Sequence, residues 1–118
     1  MRVRRTLPDV RIIACLRNPI DRAYSHYHHE VRRGLEPLAF ERAIERETER
    51  LEGELERMLE EEDYHSLQHQ SYSYLSRGIY VDQLRTWMSA FPRDQFLIVR
   101  SEDLFEQTSA VITQVWRL

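Results

Sequence analysis

A chain of 118 residues, 42% hydrophobic and 31% charged, has the size and balance of one folded domain, which excludes disordered and fibrous classes. Its net charge of -3 supplies no bulk attraction to nucleic acid or to an anionic membrane, and no apolar stretch approaches the ~20 residues of a membrane span. The single cysteine, Cys15, excludes an intrachain disulfide framework and, with no signal-peptide pattern behind the basic start, points to the cytoplasm.

Residues 1–8 read as a basic, irregular lead-in. Over 10–16, Val10, Ile12, Ile13, Ala14, Cys15 and Leu16 form a run apolar on both faces, the pattern of a central strand in a parallel sheet, with Cys15 as a small buried hydrophobe. Asn18 then offers an N-cap, Pro19 a favoured first helical residue and Asp21 a carboxylate in the first turn. Ile20, Ala23, Tyr24, Tyr27 and Val31 recur at three- and four-residue steps, which predicts a helix ending near Gly34. A charged stretch follows, in which Phe40, Ile44, Leu51, Leu55, Met58 and Leu59 fall on a stripe between Glu and Arg. It predicts one helix over about 38–62, interrupted at Gly53, whose solvated face carries pairs such as Glu47 with Arg50 and Glu54 with Arg57. Residues 64–77, rich in Tyr, Ser, His and Gln, predict a loop with helical pieces. Tyr80, Leu84, Trp87, Met88 and Phe91 give an amphipathic helix stopped by Pro92. The run QFLIVR, 95–100, reads as a second buried strand, Ser101 as an N-cap, and Leu104, Val111, Ile112, Val115 and Trp116 as the apolar face of a last helix.

The order strand, helices, strand, helix predicts an α/β fold with a parallel sheet and helical crossovers. Two strands make a small sheet with apolar edges, the mark of part of a larger domain and a reason to expect self-association through those edges. The expected organisation is a single partial domain over 1–118. It comprises a strand–helix unit at 10–34, a charged helical insertion at 38–63 and a helix–strand–helix unit at 74–118.

Open α/β sheets take ligands beyond the carboxyl ends of their strands, where helix N-termini expose unpaired N–H groups. Arg17 stands at such an end, and Ser25 lies two helical turns beyond Asn18 with Arg22 between them. A guanidinium, a hydroxyl and a polar helix start can grip a phosphate; Arg17 salt-bridged to an acid, with Ser25 merely exposed, is the alternative. Two absences narrow the chemistry. All 17 basic residues are arginine, and only Gly34, Gly53 and Gly78 are glycine, so neither a Walker-type phosphate loop nor a lysine Schiff base can be built.

The stretch IIACLRNPIDRAYSHY resembles the 3′-phosphate-binding motif of sulfotransferases that use 3′-phosphoadenosine 5′-phosphosulfate (PAPS): apolar strand, Arg-Asn-Pro, Asp-Arg-Ala, then Ser two residues before an aromatic. YLSRGIYVDQLRTWMSAFPRDQFLIVRSEDL, 74–104, is similar to the segment that follows in the same family, especially its bacterial and heparan-sulfate-type branches. The resemblance implies a P-loop-type three-layer α/β domain whose phosphate loop is absent from this chain, with PAPS as sulfuryl donor, PAP as product and a hydroxyl- or amine-bearing acceptor. It assigns Arg17 and Ser25 to the 3′-phosphate and makes Arg22 a structural ion-pair residue. Arg77 and Tyr80, within SRGIY, become acceptor contacts, with core packing the alternative for Tyr80.

The family's 5′-phosphosulfate loop with its lysine, its general base and its C-terminal closing loop have no counterpart here, so the chain alone is expected to be inactive or nearly so. Arginine in place of lysine fits a GC-rich bacterial source. Other constellations are weaker. His26, His28 and His29 cluster, and His65 and His69 stand at i,i+4, but exposed or hydrogen-bonded histidines, with no metal, are the expectation. Ser25 beside His26 lacks the glycines of a nucleophile elbow, and the acidic middle opposes a nucleic-acid face. The alternative from another class is a non-catalytic nucleotide-binding or helical interaction module whose contact surface is the Glu-rich stretch 41–63.

Overall fold

A computed structural model describes residues 2–118; Met1, the first residue of the expected lead-in, lies outside them. The lead-in is not irregular as expected: Arg2–Thr6 forms a short helix, α1. The first strand, β1 (Ile12–Leu16), pairs in parallel with β2 (Phe96–Arg100), Ile12 opposite Phe96 and Leu16 opposite Arg100. The α/β class and the parallel pair therefore stand as expected.

The chain divides into two compact units. The first runs to Arg17 and resumes over Tyr80–Leu118; the second is Asn18–Ile79. In the first unit the amphipathic helix α7 (Tyr80–Ala90) leads through Pro92 into β2, and its Trp87 stacks on Phe91, which meets Phe96 edge-on. Phe91, Phe96, Val99 and Val111 are buried there. Buried Gln95 donates to the Pro8 carbonyl at 3.0 Å, tying the entry of β1 to that of β2. The last helix is two, α8 (Ser101–Glu106) and α9 (Thr108–Arg117), broken at Gln107, whose φ of -132° and ψ of 43° are not helical. Ser101 makes no capping bond; Arg100 pairs with Asp103 across the first turn of α8 instead.

Among the described residues β1 has a hydrogen-bonded neighbour on one side only, and its side chains alternate between half-buried and exposed. Ile13 is 45% exposed, and Cys15, expected to be buried, is exposed as well. A run apolar on both faces marks a strand made to be covered on both, and only one face is covered by the described residues.

In the second unit, α2 (Pro19–Arg32) starts as its sequence dictates: Asn18 Oδ1 accepts from the Ile20 and Asp21 N–H groups at 3.0 and 3.3 Å, and Gly34 supplies the positive φ of 73° after the helix. The charged stretch departs from expectation. In place of one helix there are three short ones, α3 (Phe40–Glu45), α4 (Glu47–Arg50) and α5 (Glu54–Glu60), followed by α6 (Leu67–Tyr72). The break at Gly53, with φ 74°, is where the sequence placed it; the break at Arg46 was not foreseen. Its cause is that Glu47 turns inward while the predicted apolar residues Leu55 and Leu59 stay 54% and 78% exposed.

The core of this unit is Ala23, Ala43 and Tyr74, none more than 2% exposed. A buried carboxylate fastens it. Glu36 accepts from the Tyr74 hydroxyl at 2.8 Å, from the Leu38 N–H at 3.0 Å and from both terminal nitrogens of Arg50, which also lies 4.2 Å over the Tyr72 ring. Arg50 thus pairs with Glu36 and not with Glu47, and Arg57 bridges to Glu61 and not to Glu54. Exposed pairs such as Arg42–Glu45 and Arg46–Glu49 contribute about 0.3–0.5 kcal/mol each, whereas a buried carboxylate stripped of its partners costs about 3–5 kcal/mol. The Glu36 node decides this unit's stability.

Burial works to raise the Glu36 pKa, but the bonds from Arg50, Leu38 and Tyr74 outweigh it and hold the carboxyl below its ordinary 4.5. A depressed folded-state pKa gives stability that is complete above the unfolded value and lost as pH falls through the folded one. Urea unfolding followed by circular dichroism should therefore show Glu36→Ala costing about 3 kcal/mol and Tyr74→Phe about 1 kcal/mol. The Glu36→Ala penalty should shrink as pH falls below 4.5.

Candidate functional site

Of the residues singled out in the sequence, Arg17 and Tyr80 belong to the first unit and Ser25 and Arg77 to the second. In the first unit, Arg17 follows the last residue of β1 at the carboxyl end of the parallel pair. The half-buried Tyr80 donates its hydroxyl to the Arg17 carbonyl at 2.8 Å, so Tyr80 fixes the backbone that carries the guanidinium. The Arg17 side chain is exposed and makes no hydrogen bond or ion pair among the described residues. The salt-bridged alternative for Arg17 is not realised.

In the second unit, Ser25 is exposed on α2 and its hydroxyl is likewise without a partner among the described residues, while Ala23 on the same helix is buried. Arg22 serves structure: its guanidinium donates to the carbonyl of Tyr74 and stands 3.5 Å from that of Ser73, clamping the segment that leads into the SRGIY stretch.

That segment is held from its other side by Glu47. Its carboxylate, 5% exposed, accepts from the N–H of Leu75 at 2.7 Å and of Ser76 at 2.8 Å, capping the tight 3₁₀ turn Ser76–Gly78. Gly78 then passes so close to Pro19 at the start of α2 that a Cβ there would lie 3.1 Å from the proline Cβ. A side chain at this position would have to push the proline back by a few tenths of an ångström. Half-buried Arg77 turns onto the His69 carbonyl at 3.3 Å. Burial first, and then the charge of Arg77, lower the pKa of both His26 and His69 below 6.5, so both imidazoles are neutral at pH 7.

Nothing in the sequence marked Glu36, just before the charged stretch, or Glu47, within it, as buried. Only the fold shows that Glu36 accepts from the Tyr74 hydroxyl and Glu47 from the Leu75 and Ser76 N–H groups, all more than ten residues away. Among the described residues no three His, Cys, Asp or Glu side chains are placed to hold a metal ion, and no helix is long and apolar enough to cross a membrane.

Among the described residues, the first unit ends its parallel strand pair in an uncommitted arginine, and the second carries an uncommitted serine on a capped helix. The comparisons give the chain a family. The model of the sulfotransferase domain matches residues 2–118. The crystal structure of a sulfotransferase from Alicyclobacillus acidocaldarius matches with a TM-score of 0.75 and 29% identity, over 97% of this chain and 41% of that one. A membrane-associated sulfotransferase, kil1 of Dictyostelium discoideum, is 31% identical over 51 residues, 43% of this chain and 11% of that protein. The chain belongs to the sulfotransferase family, and it spans less than half the length of either relative.

If Glu47 holds the 3₁₀ turn, Glu47→Ala should speed amide exchange at Leu75 and Ser76 by at least roughly tenfold, because each bond to an ionised acceptor contributes ~1.5–3 kcal/mol. Hydrogen exchange read by NMR checks this, with the amides of β2 unchanged as the internal control.

Proposed function

We propose that the chain is the nucleotide-gripping part of a PAPS-dependent sulfotransferase, moving a sulfuryl group to an acceptor hydroxyl or amine. The observation that carries the reading is the Arg17 guanidinium, exposed and unpaired at the carboxyl end of β1 among the described residues. An arginine in that place with no carboxylate to neutralise it favours an anion, and its planar fork suits a phosphate dianion. Ser25, also uncommitted, adds a hydroxyl donor from α2.

The donor nucleotide, when bound, supplies the activated sulfuryl group: its sulfur–oxygen bond to the 5′-phosphate breaks as a bond to the acceptor oxygen or nitrogen forms, and the acceptor proton passes to a base. Arg17 and Ser25 would hold the 3′-phosphate and so select this nucleotide over those that lack it. Asn18 and Pro19 set the start of the helix that carries Ser25, and Tyr80 holds the Arg17 backbone by its 2.8 Å bond. Arg77 and Tyr80 are carried as acceptor-side residues, Tyr80 with this second, positioning role. Transfer of this kind depends on positioning and on neutralising charge. With no lysine in the chain and no identified base, the chain alone binds nucleotide and turns over little or nothing. Its cytoplasmic placement belongs to the same reading and rests on the lone thiol; membrane association is in the name of the Dictyostelium protein alone.

Calorimetric titration of the chain with 3′,5′-adenosine bisphosphate, beside 5′-AMP, tests the reading. The bisphosphate should bind at least roughly tenfold tighter than AMP, since one charge-assisted contact to the extra phosphate accounts for that factor. Arg17→Ala should abolish the difference, Ser25→Ala should reduce it, and both variants should keep the wild-type circular dichroism. Equal binding of the two nucleotides, or none by a folded chain, would move the interaction-module reading ahead.

A further inference from the structure

Residues of α3, α4 and α5, with the positive-φ Gly53 between the last two and with His69, Leu75, Ser76 and Ile79, line an open cavity of about 830 Å³ within the second unit. Its apolar lining includes Ile44, Leu51, Leu55 and Ile79, and Leu55 and Ile79 are each more than half exposed. Aliphatic side chains left wet around a concave space gain by covering, and the volume is within the range of pockets that take small molecules.

The polar lining is of one sign. Glu45 and Glu49 are tied to Arg42 and Arg46, and Glu47 is spent on the Leu75 and Ser76 N–H groups. Glu52 and Glu56 are exposed, line the same cavity and have no ion-pair partner among the described residues. His69, on the lining as well, is neutral at pH 7 and brings no compensating charge. An apolar pocket with two uncompensated carboxylates repels fatty acids and other anions. It complements a hydrocarbon that carries a cationic group.

We propose that this cavity binds a cationic amphiphile, an aliphatic or aryl-aliphatic amine whose hydrocarbon part lies on Leu51, Leu55 and Ile79 and whose ammonium faces Glu52 and Glu56. The site stands on the cavity and its charge alone and is independent of the sulfotransfer reading above.

The test is a titration of the full chain with decylamine, decanol and decanoate below their micellar concentrations and with no nucleotide present, read by methyl NMR. Keeping nucleotide out separates the two readings: this site can fail while the bisphosphate still binds, and the reverse. Decylamine should shift the methyls of Leu51, Leu55 and Ile79 and bind roughly tenfold tighter than decanol, the size expected for two exposed charge pairs. Decanoate should not bind measurably. The variant E52Q/E56Q, isosteric and exposed, should bring decylamine down to decanol, and Leu55→Gln should weaken both. Equal affinity for amine and alcohol, unchanged preference in E52Q/E56Q, or shifts confined to methyls outside the cavity would each overturn the proposal. Displacement of decylamine by far lower concentrations of a lysine–leucine peptide would assign the surface to a protein partner instead.

Discussion

Glu36 is the constraint on which the second unit depends. A carboxylate with no exposed side-chain surface is a large desolvation cost, and it is offset only because Arg50, Tyr74 and the Leu38 N–H all converge on its two oxygens. What the arrangement secures is position. Tyr74, fully buried, is held by its hydroxyl at the centre of the unit, packs with Ala23 of α2 and Ala43 of α3, and carries the backbone that Arg22 clamps. A helix backed in this way presents its outer residues, Ser25 among them, from a fixed frame. The first unit solves the matching problem more simply, with a parallel pair that delivers Arg17 to a strand end and a tyrosine hydroxyl that holds its carbonyl.

The same principle recurs at Glu47. In both places a buried glutamate spends its oxygens on donors, Glu36 on Tyr74, Leu38 and Arg50, and Glu47 on the Leu75 and Ser76 N–H groups. The charged segment between the two family-like stretches therefore holds the SRGIY stretch through Glu47 and lines the cavity beside it. Its bent course leaves aliphatic side chains and two carboxylates uncovered on one concave surface.

Much of the fold was legible because local rules carried it. The Asn18-Pro19 helix start, the positive-φ glycines at 34 and 53, the stop at Pro92 and both strands follow from caps, backbone freedom and apolar runs, all short-range. The misses are long-range. One helix became three because a tertiary contact from Glu47 overrode a helical period, and Arg50 chose Glu36, fourteen residues away, over a neighbour at i,i-3. Cys15 reads as buried because the strand is apolar on both faces, yet one of those faces is open among the described residues. For the candidate site, the motif order placed Arg17 and Ser25 at a strand end and on a helix. Only the structure shows that, among the described residues, neither is committed elsewhere.

If Arg17 reads the 3′-phosphate in particular, phosphorus NMR of 3′,5′-adenosine bisphosphate titrated with the chain addresses that atom directly. The 3′-phosphate resonance should move and broaden while the 5′-phosphate stays close to its free position, and Arg17→Ala should return both to the free spectrum. Movement of the 5′-phosphate alone, or of both resonances equally in wild type and variant, would contradict that reading.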